Sequence, residues 1–570
     1  MNQGLRRLAV RDEQVGHWKL FRFDIIDSPF FGRVGRSHID NRRRRRFLSP
    51  MLRGIVTVGA WTLASRILGF ARDMLIAARL GAGPVADAFF VALRLPNLFR
   101  RLFGEGAFNA AFVPGFTGTL AAEGREAARA YAEQAFTLML LGLGLLVIAG
   151  EVFMPQVMLG LAPGFAAIPA KFALAVTLSR LTFPYLVLIC LAALISGVLN
   201  GLDRFTAASA SYVLFNVVMI ASLLWLTPLL ASAGHALAVG VTLSGLAQLG
   251  VLLVAARRAG MRLRLVRPRM TPPMRALLRR MAPGLVGAGV TQLNLAVDVI
   301  IASLLPAGTV SVLYYADRVQ QLPLGVIGSA VGTAMLPLLS RQVRAGQAAA
   351  AAETQNRAIE YALFLTLPAA VALGAIALPV VSVLFGRGQF AGADVALSAR
   401  ALAAYALGLP AFVLVKVLAP GFFARGDTAT PVKIGAVAVA LNLALNLAFM
   451  RPLQQLGPAL ATSLAAMVNL GLLGGVLARR GQLAFDAGLR RRAPRMALAA
   501  LAMGGLLLGA RAELAGALAE RGPERWAALL GLVALGAAGY FGAVAALGVY
   551  PAREALARLR PRARSAKPRP

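Results

Sequence analysis

The chain has 570 residues, 58% hydrophobic and only 15% charged, with a mean hydropathy of +0.70; soluble domains run nearer half apolar and a quarter charged. Ordinary soluble cores cannot hide so much apolar side chain, so the composition excludes a water-soluble protein and points to a polytopic membrane protein. The formal charge of +35 is no nucleic-acid signature, because the arginines gather in short connectors between apolar runs. The single cysteine, Cys190, sits in an apolar run and reads as a small buried hydrophobe, and three histidines without Cys or acidic residues at ligand spacing argue against a transition-metal site.

Residues 1–50 are polar and mixed, end in "NRRRRRF", and contain no apolar stretch ahead of a cleavage site. They read as a disordered basic arm on the cytoplasmic side, or as sequence ahead of a true start at Met51; an arm that binds nucleic acid or anionic lipid is the alternative. From residue 55, apolar runs of about 20 residues alternate with short connectors, the length a helix needs to span roughly 30 Å. They fall at 55–79, 84–104, 130–153, 172–199, 206–230, 235–256, 283–305, 309–338, 358–385, 398–424, 430–450, 456–478, 493–512 and 526–549, with a separate interfacial helix expected at 106–118. The expected fold is therefore an all-α polytopic membrane protein of about fourteen transmembrane helices, kinked or interrupted at Pro96, Pro184, Pro323, Pro368, Pro410 and Pro420.

Fourteen spans put both termini on one side. That side collects about 45 of the 59 Lys and Arg residues, with the loops 257–280 and 479–495 prominent, and the other side about eight; the positive-inside rule makes the richer side cytoplasmic. The sequence also repeats. "GAGPVADAFFVALRLP" (81–96) parallels "PAGTVSVLYYADRVQQLP" (306–323), and "SGVLNGLDRF" (196–205) parallels "PGFFARGDTATP" (420–431). A repeat of six spans returns to the same side, so the halves are parallel, related by an axis along the membrane normal. The expected organisation is a basic arm at 1–50, helices 1–6 at 51–260, helices 7–12 at 261–480, a final helix pair at 481–550 and a basic tail at 551–570.

Few charges lie within spans. Arg66, Arg72 and Asp73 share one face of the first helix, while Asp87, Arg94 and Arg101 recur every seven residues on the second, with Arg100 and Glu105 at its end. The seventh helix carries Asp298, the eighth Asp317 and Arg318, and the tenth Lys416. Each costs roughly 2.5–3.5 kcal/mol at mid-bilayer if it faces lipid, so a shared wet cavity is expected. Ion pairs that merely join helices are the alternative, and snorkelling is the alternative for Arg94, Arg100 and Arg101. An Arg-rich cavity suits an anionic solute bearing phosphate or carboxylate, since guanidinium forks match such oxygens.

"SRILGFARD", "DAFFVALRLPNLFRRLFGEGAFNAAFVP", "YYADR" and "VLAPGFFARGDTATPVK", in this order over residues 51–550, closely resemble the MurJ (MviN) lipid II flippases of the multidrug/oligosaccharidyl-lipid/polysaccharide exporter superfamily. The resemblance implies two six-helix lobes in a V, a C-terminal helix pair with a groove for the lipid tail, and an inner-membrane carrier, working as a monomer without nucleic acid. It would move undecaprenyl-diphosphate-linked peptidoglycan precursor, lipid II, to the outer leaflet by alternating access while its tail stays among membrane lipids. By motif position it assigns substrate-binding roles to Ser65, Arg66, Arg72, Asp73, Arg100, Glu105 and Arg318, and gating to Asp87 and Asp317. It implies no organic cofactor, and a sodium ion at Asp298, Asn442, Asn446 and Thr462; Asn446 stands where that pattern has a second carboxylate, and hydrogen bonding between helices is the alternative. A multidrug or polysaccharide-lipid exporter of the same superfamily is the rival function. A membrane enzyme is disfavoured, because no long loop carries an acidic or histidine cluster.

Overall fold

A computed structural model describes the backbone of residues 41–101, 107–520 and 522–549. Glu105, the arm 1–40 and the tail 551–570 lie outside the described residues. The chain divides into residues 1–55 and 56–570, and the second unit holds the packed helices. Apart from one isolated bridge between Arg387 and Phe390, the regular elements among the described residues are helices.

α1 (Asn41–Leu80) stops at Gly81, whose φ of 64° favours glycine. α2 (Pro84–Phe99) restarts with proline at its first position and Asp87 in its first turn, both suited to a helix N-terminus. α3 (Ala107–Val152) is two helices that meet at a kink at Gly124, where φ is 87° and ψ −174°, so a separate helix lies ahead of the third span. The short α4 (Met154–Leu161) follows. The fourth expected span is two helices, α5 (Pro169–Thr182) and α6 (Tyr185–Gly201), because Pro184 lacks the N–H that would continue the ladder. Neighbouring helices satisfy the backbone that prolines free. Thr242 Oγ1 donates to Leu181 O at 2.6 Å beside the Pro184 break, and Thr182 Oγ1 donates at 3.1 Å to Ala92 O, which Pro96 cannot reach.

α7 (Phe205–Trp225) and α8 (Ala233–Arg258) complete a first bundle, in which α2 packs on α5, α6 and α8, and α3 on α6. An extended strap then crosses α3, with Arg264 N–H donating to Glu133 Oε1 at 3.1 Å and Val266 N–H to Thr137 Oγ1 at 3.2 Å. The second bundle comprises α9 (Pro272–Ser303), α10 (Thr309–Arg344), α11 (Ala348–Ala375), the short α12 (Ala377–Phe385), α13 (Ala393–Phe423), α14 (Ala429–Phe449) and α15 (Gly457–Arg479). There α13 lies among α10, α11 and α15, and α9 bridges α3 and α14. α10, α11 and α13 continue through their prolines.

α16 (Ala487–Glu513), the short α17 (Ala515–Ala519) and α18 (Glu524–Ala546) finish the fold, with α16 packed on α11 and α18. A charge cluster pins this pair: buried Glu360 of α11 meets Arg357 and, at 2.8 Å, Arg492 of α16, while Arg357 reaches Asp486 at 2.8 Å.

Large apolar side chains such as Leu145 and Ile148 of α3, Leu501 of α16 and Leu530 of α18 point outward, more than half exposed. Such a surface belongs in hydrocarbon. Counting α5 with α6 as one, ten described helical segments are long and apolar enough to cross a membrane. The expected first, second, seventh and eighth spans (α1, α2, α9 and α10) are not among them. Those four carry Arg66, Arg72, Asp73, Asp87, Asp298, Asp317 and Arg318, charges placed on the helices where the two bundles meet.

Candidate functional site: a charged cavity between two bundles

A cavity of about 790 Å³ lies between the bundles, walled by α1, α2, α6, α7, α8, α9, α10, α13 and α15. At its centre Asp73, buried to 2% exposure, serves two guanidiniums from opposite sides. Its Oδ1 accepts from Arg72 Nε at 3.1 Å and Nη2 at 2.7 Å, and its Oδ2 pairs with Arg318 Nε of α10 at 2.9 Å. Arg72 Nη1 also donates to Asn216 Oδ1 of α7 at 3.0 Å. Arg318 bonds the Tyr314 hydroxyl one turn back on its own helix, through Nε at 3.1 Å and Nη2 at 2.9 Å. Arg72 is buried, whereas the Arg318 side chain is a third exposed. The carboxylate thus holds one arginine in place and leaves the other partly open to the cavity. Two forks held this way suit planar, multiply charged oxygens.

The other cavity residues surround this centre. Arg66 also reaches α10: a Cβ on Gly325 would come within 3.0 Å of Arg66 Nη1, so glycine there makes room for the guanidinium. Ser65 lines the cavity, its carbonyl taking Asn216 Nδ2 at 3.0 Å. Arg94, Arg100 and Arg101 line it from α2 and the residues after it, with Arg100 Nε bonded to Asn97 Oδ1 at 3.1 Å. Lys416 of α13 also lines it, packed against Gly328 of α10. Asp317 bonds Gln321 in the cavity wall.

The Asp87 carboxylate lies outside that wall, at the closed end. Oδ1 accepts from Ser311 N–H at 2.9 Å and Ser311 Oγ at 2.7 Å, and Oδ2 from Gly308 N–H and Lys171 Nζ, each at 2.7 Å. Asp87 therefore caps the start of α10 from across the bundle boundary, where the helix dipole favours an anion. A reciprocal contact sits alongside: Asp394, in the first turn of α13, accepts from Ala82 N–H at 3.1 Å, just ahead of α2. Further joints are Gln389 N–H to Ala78 O at 2.9 Å and Gly164 N–H to Ser303 Oγ at 3.2 Å. Asp317 stands six residues beyond Ser311, about 9 Å along α10, with the cavity charges and not at this joint.

Asp298, Asn442, Asn446 and Thr462 come together from α9, α14 and α15. Asn442 Nδ2 donates to Asp298 Oδ1 at 2.9 Å, Thr462 Oγ1 lies 3.5 Å from the same oxygen, and Asn446 Nδ2 donates to Asn442 Oδ1 at 3.0 Å. Asn446 Oδ1 is buried without a partner. One carboxylate, a hydroxyl and an orphaned amide oxygen are donors a hard cation accepts, so the residues fit a sodium ion in kind.

Comparison with known proteins decides the family. The family model described as "Lipid II flippase MurJ" matches residues 76–519. The chain belongs to this family. It is 45% identical over 504 residues to the "Probable lipid II flippase MurJ" of Rhizobium meliloti (strain 1021), covering 87% of this chain and 94% of that one. With the "Lipid II flippase MurJ" of Burkholderia cenocepacia it shares 35% identity over 461 residues, 80% and 89% of the two chains. The solved structure "Lipid II flippase MurJ, inward closed conformation" superposes with a TM-score of 0.71 at 24% identity, over 88% of this chain and all of that one. An inward-facing multidrug resistance MATE family transporter of the MOP superfamily gives 0.60 at 16% identity, over 73% and 95%. Both share the fold.

Sequence reasoning missed Asn216, Lys171, Ser311 and Asp394. A lone Asn in an apolar run, as in "LFNVV", was the available signal for Asn216. Lys171 stands one residue ahead of the expected span 172–199 and so reads as a connector charge.

Proposed function

We propose that this chain carries lipid II from the cytoplasmic to the periplasmic leaflet of the bacterial inner membrane by alternating access, for peptidoglycan synthesis. The observation that carries the proposal is Asp73 shared between Arg72 and Arg318, one from each bundle, in a cavity whose one end is latched by Asp87. The diphosphate would enter at the end that bears Arg100 and the basic connectors. There it would compete with Asp73 for the guanidiniums, which replace the water it loses, while the polyprenyl tail stays in lipid. Separation of the Asp87 and Asp394 contacts would open the other end. α1, α2, α9 and α10 complete fourteen spans, with both termini cytoplasmic and the chain acting as a monomer. Sodium at Asp298, Asn442, Asn446 and Thr462 would add one positive charge near the cavity. Net charge moved across the bilayer couples to membrane potential at about 2.3 kcal/mol per charge per 100 mV, so the empty carrier could reset without ATP.

The test is leaflet-resolved labelling of lipid II after depletion of the native flippase. Arg72→Ala and Arg318→Ala should insert normally and leave lipid II inside. Normal flipping by both variants refutes the cavity assignment, and efflux of organic solutes without lipid II movement would favour the multidrug exporter.

A further inference from the structure

The Asp87 carboxylate has four bonds, and they divide unequally. Three come from Gly308 and Ser311 of the second bundle and break together if the bundles part. The fourth comes from Lys171, in the first turn of α5, within the same bundle as Asp87. Lys171 is itself 5% exposed and has its ammonium 4.0 Å from the centroid of the Phe165 ring, also in that bundle. Lysine and ring both belong to that bundle, so the Lys171 bond does not cross the boundary.

We propose that Lys171 is a positioning residue for the gate: it stays with Asp87 when the cross-bundle bonds break, and so sets how readily the closed end opens. This inference rests on the alternating-access reading above. A buried carboxylate stripped of every partner is strongly unfavourable; paired with Lys171 it remains half of a neutral couple, so the gate separates without stranding a charge. In the closed state the same ammonium competes with the α10 N-terminus for Oδ2, which weakens the latch. Both effects favour opening. Removing the lysine therefore deepens the closed state, although Lys171 faces neither cavity nor substrate. Its compact ammonium on a flexible stem can hold the oxygen through a change in the carboxylate's surroundings.

The test uses a single-cysteine reporter: Cys190→Ala removes the native thiol, and Val310→Cys places one on the cavity wall beside Ser311. A membrane-impermeant thiol reagent added outside intact cells reaches that position only when the latched end opens. The reporter chain should label. Lys171→Met should label roughly tenfold more slowly, Lys171→Arg within about twofold of the parent, and Asp87→Asn with Lys171→Met should recover labelling, because no charge is left to strand. Parent-like labelling of Lys171→Met overturns the proposal, as does an equal loss in Lys171→Arg or no recovery in the double variant. If Lys171→Met does not accumulate, the double variant decides alone: accumulation with labelling supports the proposal, and failure of either overturns it. A parent that never labels from outside removes the alternating-access reading itself, an outcome distinct from failure of Lys171's role.

Discussion

Replacing Asp73 with Asn removes one negative charge from the cavity centre and keeps its shape. Asp73 makes three bonds to guanidinium nitrogens, two to buried Arg72 and one to Arg318. Leaving a buried arginine without its counterion costs about 3–5 kcal/mol, so the substrate-free protein should lose thermal stability. Arg318 is a third exposed, and solvent screening limits its bond to about 1 kcal/mol. An incoming diphosphate must displace that bond in the parent and not in the variant, which is worth about fivefold in affinity. Asp73→Asn should therefore bind lipid II more tightly and turn over more slowly, because release becomes harder. In proteoliposomes, leaflet-resolved flipping should show a lower half-saturating concentration and a lower maximal rate. Thermal unfolding should show a larger stabilisation by lipid II than in the parent. A raised half-saturating concentration with an unchanged maximal rate and unchanged substrate-free stability would refute this, since it would make Asp73 a direct substrate ligand.

Gly388→Ala attacks the other end. Gly388 has φ 58°, and a Cβ there would lie 2.2 Å from Ala78 O, so the loop must draw back from α1; with about 1–2 kcal/mol of left-handed strain, external labelling of the Val310→Cys reporter should rise roughly tenfold, and no rise would show that this joint does not hold the gate. Asp427, in the turn between α13 and α14, is held below the usual carboxylate range, first by its hydrogen bond from Arg480 and then by Thr430. A lowered folded pKa gives stabilisation that is present above the unfolded carboxylate's range and lost as pH falls through the folded value. The parent's Tm advantage over Asp427→Asn should thus persist at pH 5 and shrink only on further acidification; parallel curves would refute it. Sodium chloride should raise the parent's Tm more than potassium chloride does, and Asp298→Asn should abolish the difference; an unaltered difference would place sodium elsewhere.

Much of this protein was legible from local patterns. Helical periodicity, a bilayer's worth of apolar side chains per run and the motif blocks in order fixed the class, the helix order and the family. The same periodicity put Arg66, Arg72 and Asp73 on one face of α1 before any partner was known. The fourth span was harder to read: Pro184 marks the break, but the hydroxyls of Thr182 and Thr242 that make it tolerable come from positions no local window joins to it. Asp317 shows a similar limit, since its place on α10 was readable and its distance from the closed end was not.

By itself the sequence determined that the chain is a bundle of long apolar helices and which of them carry charge, because both follow from residues a few positions apart. Only the tertiary structure decided which charges meet. Asp73 finds Arg318, Asp87 finds Ser311 and Lys171, and Asp394 finds Ala82, over separations of 84 to 312 residues. A lone polar residue in an apolar run signals that a partner is needed, because hydrocarbon offers none, and it carries no information about which helix supplies it.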